Sequence, residues 1–94
     1  MNEVQHRPGR FSLFVDGAEC VLDYFVRDGV VHFHHTLVPT ALQGRGLAAE
    51  LVEAGFQWAL ENQFKVAPDC SYVASYLRRH AHWRDALKPI SSSA

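Results

Sequence analysis

The chain has 94 residues, which is enough for one domain and too few for two hydrophobic cores. Its 48% hydrophobic and 20% charged residues are typical of a globular protein, and the net charge of −1 argues against a general nucleic-acid binder. Since no apolar run reaches the roughly 18 residues of a membrane span and no signal-peptide pattern opens the chain, we expect a cytoplasmic protein with no membrane segment.

The first third of the chain has the pattern of a three-stranded antiparallel meander. Strands are predicted over residues 11–15, 18–27 and 30–38, separated by Asp16-Gly17 and Asp28-Gly29. Asp-Gly between apolar runs is a strong hairpin signal, because a type I′ turn needs positive φ at both central residues.

Alternation in the third strand divides its side chains between two faces. One face is predicted to hold Val31, Phe33, His35 and Leu37. On this pattern His35 would be a hydrogen-bonded histidine on an otherwise apolar face. Pro39, which has no amide hydrogen for the ladder, ends the strand.

A glycine-containing loop then leads into an amphipathic helix predicted over residues 47–62. Its polar strip, predicted to face solvent, consists of Glu50, Glu53, Gln57 and Glu61. The following apolar stretch, residues 65–67, predicts a short strand that stops at Pro68.

The remaining segments predict a helical C-terminal region. A second helix is expected to begin near Ser71, with Asp69 or Ser71 as its N-cap. A last helical turn, residues 83–87, is expected to pack on the sheet, and residues 91–94 to form a frayed tail. The order of elements predicts an α+β fold with a mixed sheet: an antiparallel meander, a strand–helix–strand crossover and a C-terminal helix. We expect one domain over residues 1–94, with its core at about residues 11–87.

The loop before the first helix has the composition of a phosphate site. Residues 43–48 read Gln-Gly-Arg-Gly-Leu-Ala, and glycines beside a helix N-terminus let backbone amides approach an anion. A plain connecting loop would have the same glycines. A dinucleotide fingerprint, Gly44-x-Gly46-x-x-Ala49, also fits, but it belongs directly after a strand and not behind an antiparallel meander.

Read as Gln43-x-x-Gly46-x-Ala48, the same loop resembles the pyrophosphate-binding motif of the GNAT superfamily of N-acetyltransferases. The resemblance extends over residues 11–87 to a short single-domain GNAT-like subfamily. The further matching residues are His35-Thr36, Val38-Pro39, Leu42, Pro68-x-Cys70, Tyr76 and Arg79-His80. Two departures are Leu37, where the subfamily usually has glutamate, and Ala81-His82, which replaces Pro-Glu.

The resemblance implies that acetyl-CoA is the cosubstrate and that an acetyl group moves to a primary amine of a metabolite or a protein lysine. It implies a GNAT-like acyltransferase fold. We expect the protein to bind neither a metal nor nucleic acid. The acetyl-CoA site that it implies is made of Thr36, Leu37, Val38, Gln43, Gly44, Arg45, Gly46, Leu47, Ala48 and Ala49.

Three residues are candidates for the chemistry. His35 titrates in the range useful for a base. Cys70 precedes a predicted helix, where the dipole favours a thiolate, and it either lines the acetyl pocket or acts as a nucleophile. Tyr76 is a candidate proton donor to the departing thiolate. For each of the three, the alternative is a side chain that is packed in the hydrophobic core and takes no part in the chemistry.

Two alternatives remain at this point. The pairs His32/His34 and His80/His82 make a zinc site conceivable, although no carboxylate cluster or C-x-x-C pair accompanies them. A domain that binds acyl-CoA or a partner without catalysis is the stronger alternative, since Leu37 removes a candidate carboxylate base.

Overall fold

A computed structural model describes residues 3–90, so the predicted tail at residues 91–94 lies outside the described part. The sheet has five strands in the order β1-β2-β3-β4-β5. Neighbouring strands from β1 to β4 are antiparallel, and β5 is parallel to β4. The strands are β1 (Gln5–Arg7), β2 (Arg10–Val15), β3 (Ala18–Arg27), β4 (Val30–Leu37) and β5 (Lys65–Pro68). The predicted α+β fold is confirmed, and its antiparallel half excludes the dinucleotide-binding alternative.

The two predicted hairpin turns have the expected backbone. Asp16 and Gly17 have φ values of 51° and 79°, and Asp28 and Gly29 have 53° and 77°. Positive φ at both central residues is the condition for a type I′ turn. Asp and Gly adopt it at low cost, so these two dipeptides determine the register of β2, β3 and β4.

The first strand, β1, was not predicted. Its three residues are exposed and polar, so the sequence gives no hydrophobic alternation there. Backbone pairing with β2 holds the strand, and the His6 ring stacks on Phe11 with 4.0 Å between ring centroids. Pro8-Gly9, which joins β1 to β2, was the available turn signal.

Three helices follow: α1 (Leu47–Glu61), α2 (Ser71–Arg79) and α3 (Ala81–Leu87). Helix α1 packs across the sheet, and Phe56 meets Phe33 edge-on with 5.7 Å between ring centroids. Gly55 allows this approach, because a Cβ there would lie 2.9 Å from Cε1 of Phe33. None of the helices within residues 3–90 is long and apolar enough to span a bilayer.

Helix α3 begins two residues earlier than predicted and packs mainly on α1 and α2, not on the sheet. Trp83, which is buried, contacts Phe56 of α1 with 5.4 Å between ring centroids. The expected packing on the sheet was wrong because α1 already covers the sheet at this position.

A β-bulge divides β4 and reverses the predicted faces. Phe33 pairs with Tyr24 and His35 pairs with Asp23, so His34 is an extra residue in β4. Beyond the bulge, Thr36 faces the helices together with Phe33, whereas His35 and Leu37 face the opposite way. The predicted apolar surroundings of His35 were therefore wrong, because alternation holds only where the register has no extra residue.

The side of the sheet away from the helices is here called the open face. The residues that define it are Arg10, Asp23, Phe25, His32, His35 and Leu37. The Arg10 guanidinium meets the Asp23 carboxylate with two hydrogen bonds, at 2.6 and 3.1 Å. The hydrogen bonds from this guanidinium hold the pKa of the Asp23 carboxyl below its usual value.

Candidate functional site

The glycine loop has the backbone that its sequence predicts. A 3₁₀ turn, Thr40–Leu42, follows β4, and the chain then passes through Gly44 and Gly46 with φ values of 85° and 76°. Gly46 is the N-cap of α1, and no side chain caps the helix. A Cβ at either glycine would meet no atom within 4 Å, so glycine is required for the backbone conformation and not for close packing.

The amide hydrogens of this loop remain available to a ligand. The first bond into the helix is donated by the Glu50 amide to the Gly46 carbonyl, at 3.1 Å. In the described structure, the amides of residues 44–49 donate to no protein carbonyl or side chain. Free amides at the positive end of a helix dipole favour an anion such as a phosphate group.

A cleft of about 320 Å³ lies between this loop, the end of β4 and the start of α2. It brings together most of the residues predicted to hold the cosubstrate. The lining consists of Thr36, Val38, Leu42, Gln43, Gly44, Gly46, Leu47, Ala48 and Tyr72. The Gln43 side chain fastens the loop to the strand, since its Nε2 donates to the Val38 carbonyl at 3.1 Å.

Three residues predicted for the cosubstrate lie outside this lining. Leu37 points to the open face and is 51% exposed. Arg45 reaches away from the cleft to Asp16, with 3.2 Å between Nη1 and Oδ2, and both side chains are largely exposed. Ala49 packs against the hydrophobic core.

Strands β4 and β5 separate beside the cleft. Their pairing ends at Phe33 and Pro68, while β4 continues to Leu37. Among residues 3–90, no strand pairs with the β5-facing edge of residues 34–37. The gap therefore leaves N–H and C=O groups that a bound chain can pair with.

Cys70 lies at this gap. Its amide donates to the Phe33 carbonyl at 2.9 Å, and its Sγ lies 3.3 Å from Oγ1 of Thr36, a residue of the cleft lining. Cys70 is the N-cap of α2, so the prediction of Asp69 or Ser71 in that role was wrong. Asp69 is used elsewhere: its Oδ2 lies 2.9 Å from Nδ1 of His32.

Tyr72 is a lining residue that the sequence analysis missed. Tyr72 lies in the first turn of α2 and lines the cleft together with Thr36 of β4. Burial raises the pKa of its phenol, so the hydroxyl stays protonated and can donate a hydrogen bond. The sequence offered one signal for this position of Tyr72. The predicted helix starts directly after the last strand, so its first turn must lie near the end of that strand.

Tyr76 lies between the helices and not in the cleft. Its hydroxyl donates to the Glu53 carboxylate, which also accepts a hydrogen bond from Nε1 of Trp83 at 2.9 Å. The Tyr76 ring stacks on His80, with 3.9 Å between ring centroids. Burial, followed by the hydrogen bond to Glu53, raises the pKa of Tyr76 well above its ordinary value.

Glu53 was predicted to face solvent and does not, because α2 and α3 cover its side of α1. Only a tertiary contact distinguishes it from Gln57 and Glu61, which are exposed on the same strip. The carboxylate joins all three helices and thereby positions the first turn of α2 at the cleft.

The histidines are spread over the molecule. His35 is exposed on the open face beside Asp23, and His32 is bound to Asp69. The rings of His80 and His82 lie 6.2 Å apart on the helical side. Over the described range 3–90, no three His, Cys, Asp or Glu side chains are grouped as metal ligands would be.

Comparison with known proteins determines the family. A family model described as GCN5-related N-acetyl-transferase matches residues 10–86. The chain belongs to this family. Within it, this GCN5-related protein is similar to vertebrate proteins called Protein NATD1. The mouse protein is 32% identical over 74 residues, covering 76% of this chain and 67% of its own length. The human protein is 31% identical over 81 residues, covering 83% and 72%.

The fold of this GCN5-related chain has a solved counterpart. The NMR solution structure of a GCN5-like protein from Staphylococcus aureus superposes with a TM-score of 0.75 and 24% sequence identity. The match covers 97% of this chain and 92% of the other. The predicted family and fold are therefore confirmed.

Proposed function

We propose that this protein is an acetyl-CoA-dependent N-acetyltransferase that moves an acetyl group to a primary amine, with residues 11–87 as the catalytic unit. One observation carries the proposal: a cleft joins the unpaired amides at the start of α1 to the unpaired edge of β4. The amides suit a pyrophosphate, and the strand edge suits an amide-containing arm. Coenzyme A contains both groups, joined in that order.

The pyrophosphate is held by backbone amides of residues 44–49 together with the dipole of α1. Gln43 keeps the loop against β4 through its bond to the Val38 carbonyl. Arg45 adds a charge at the phosphates. Its present pair with Asp16 is exposed, and such pairs contribute only about 0–1 kcal/mol, so it is easily exchanged for a phosphate.

The pantetheine arm lies along the second half of β4, pairing with backbone groups near Thr36, Leu37 and Val38. Leu37 takes part through its backbone, since its side chain points to the open face. This placement brings the thioester to the gap between β4 and β5, next to Cys70. A backbone N–H at the gap polarises the thioester carbonyl as the tetrahedral intermediate forms.

In the reaction, a neutral amine attacks the thioester carbon, a C–N bond forms and the C–S bond breaks. One amine proton leaves to a base before or during attack, and the coenzyme A thiolate takes up a second proton. We assign Cys70 to the acetyl pocket because its thiol touches Thr36 of the lining. Tyr72 is better placed than Tyr76 to protonate the thiolate, because the Tyr76 hydroxyl is bound to Glu53.

The decisive experiment places a negative charge where the pyrophosphate is proposed to lie. Ala48→Glu adds a carboxylate to the first turn of α1, where the helix dipole favours acidic residues, so the apo protein stays folded. Repulsion between unit charges about 4 Å apart is about 4 kcal/mol at an effective dielectric constant of about 20. Calorimetric titration with acetyl-CoA should therefore give a dissociation constant at least about a hundredfold higher than that of the wild type.

Ala81→Glu is the matched control. It makes the same change at the exposed first residue of α3, and it should bind acetyl-CoA like the wild type. Thiol release with a panel of amines then tests turnover. Binding without turnover would support the sensing alternative that Leu37 suggests, and a wild type that does not bind acetyl-CoA would contradict both functions.

A further inference from the structure

The two sides of the gap between β4 and β5 differ in what covers them. The cleft lies on the helical side, where Thr36, Ala48 and Tyr72 line it. On the other side the sheet presents the open face, whose large apolar residues Phe25 and Leu37 are exposed. If acetyl-CoA fills the cleft, as the proposed function requires, the acceptor amine has to reach the thioester across the gap from the open face.

A histidine–carboxylate pair lies on this side, next to the gap. His32 pairs with Ala67, one position before the last β4–β5 pair at Phe33 and Pro68. The side chain of His32 belongs to the open face, because its neighbours Val31 and Phe33 are fully buried on the other. Asp69 lies between β5 and Cys70, and its carboxylate binds Nδ1 of His32 at 2.9 Å.

The His32 ring is oriented by two contacts. Its Nδ1 is bound to Asp69, and its flat face stacks on Phe25 with 4.6 Å between ring centroids and 7° between planes. Nε2 of His32 makes no hydrogen bond to any residue in the range 3–90. A ring held by one nitrogen, with the other free towards solvent, has the arrangement of a general base and its orienting carboxylate.

We propose that His32 is the general base that deprotonates the acceptor ammonium, and that Asp69 is its positioning residue. Nε2 of His32 takes one proton from the ammonium, directly or through one water. The neutral amine then forms the C–N bond as the C–S bond breaks, its second proton passes to the coenzyme A thiolate through the Tyr72 hydroxyl, and the imidazolium releases the first proton to solvent. The proposal rests on the proposed function and supplies the base that the reaction requires.

The same observations favour His32 over His35 as the base. His35 is exposed, and its nearest carboxylate is that of Asp23. Both oxygens of Asp23 are already bound to Arg10, at 2.6 and 3.1 Å. His35 therefore has no carboxylate free to orient its ring, whereas His32 has Asp69.

The charged groups around His32 come from three strands. Asp69, after β5, brings a negative charge to the ring. Lys65 at the start of β5 and Arg27 on β3 carry positive charges, and the Arg27 guanidinium lies over the Phe25 ring at 5.5 Å. His34 on β4 is tilted against Phe25, with 5.6 Å between ring centroids. Of these groups, Asp69 is the one that is hydrogen-bonded to the ring, so its removal should loosen the orientation of His32.

The test measures kcat/KM against pH for the wild type, His32→Gln, Asp69→Asn, the rival base variant His35→Gln and the neighbouring control His34→Gln. Two acceptors are compared: an alkylamine that is almost fully protonated near neutral pH, and trifluoroethylamine, which is mostly neutral there. With the alkylamine, His32→Gln should lose about 10²- to 10⁴-fold in rate, and the acid limb of the wild type should be replaced by a rise with pH that continues towards the pKa of the free amine. With trifluoroethylamine the loss should be small, because no proton has to be removed before attack.

Asp69→Asn should give a smaller loss, which should again be larger with the alkylamine than with trifluoroethylamine, while His34→Gln should retain wild-type rates. All variants should bind acetyl-CoA with the wild-type dissociation constant, which also verifies folding. Equal losses with both amines and an unchanged acid limb in His32→Gln would overturn the proposal. So would loss of the acid limb in His35→Gln alone. A wild type that acetylates no amine would overturn this inference and the proposed function together.

Discussion

The two halves of β4 differ in how their edges are paired. Residues 30–33 are paired on both edges, and Val31 and Phe33 are fully buried. Residues 35–37 are paired with β3 alone, and Thr36 among them lines the cleft. The bulge at His34 separates the halves. Pairing on both edges stabilises the first half, and the missing partner in the second half leaves backbone groups for a ligand.

The largest effect expected from this division is on stability. Phe33→Ala removes a fully buried ring that packs on Phe56 and Gly55, and it should lower the free energy of unfolding by about 3–5 kcal/mol. His35→Ala, two residues further along the same strand, truncates an exposed side chain and should change it by less than about 0.5 kcal/mol. Urea denaturation measures both, and similar losses in the two variants would contradict the division.

The next largest effect concerns Glu53, whose hydrogen bonds join α1 to α2 and α3. Helix α2 faces the second half of β4. Glu53→Gln keeps the size of the side chain and removes the charge that accepts hydrogen bonds from Tyr76 and Trp83. The expected loss is about 1.5–3 kcal/mol in urea denaturation. The control is Gln57→Ala, on the exposed strip of the same helix, which should have little effect. A loss no larger than that of the control would mean that the carboxylate does not position α2.

The contact between Tyr76 and Glu53 also predicts that the stability of the protein falls at alkaline pH. The folded state raises the pKa of Tyr76 above the ordinary value of 10.0, so it holds this proton more tightly than the unfolded state does. The resulting stability is complete below about pH 10 and is lost as the pH rises towards the folded-state pKa. The urea midpoint of the wild type should therefore fall between about pH 10 and pH 12, and the fall should be smaller in Tyr76→Phe.

The smallest effect is expected within the second half itself. Thr36→Val keeps the shape of the side chain and removes the contact between Oγ1 and the Cys70 thiol. Because this is one neutral, partly exposed hydrogen bond, the free energy of unfolding should change by less than about 1 kcal/mol. Thr40→Val, at an exposed position of the following turn, is the control. A fall of more than about 2 kcal/mol in the free energy of unfolding, in Thr36→Val alone, would show that the second half of β4 also stabilises the fold.

Much of the site was predictable because it depends on local backbone chemistry. The Asp-Gly turns, the glycine loop and the start of α1 at Leu47 were predicted correctly. Each depends on φ preferences or on helical periodicity within a few residues, and these are properties of the chain itself. The family motif at Gln43 and Gly46 belongs to the same class.

The remaining features required contacts between distant parts of the chain. The faces of His35 and Leu37 depend on a bulge set by the register of β4 against β3. The partial burial of Glu53 depends on two helices that follow it by more than fifteen residues, and the pairing of His32 with Asp69 spans 37 residues. The sequence by itself determined the Asp-Gly turns, the glycine loop and the start of α1, since these follow from local conformational preference. Only the tertiary structure decided which side chains meet at the gap between β4 and β5, because strand register and helix packing bring them together.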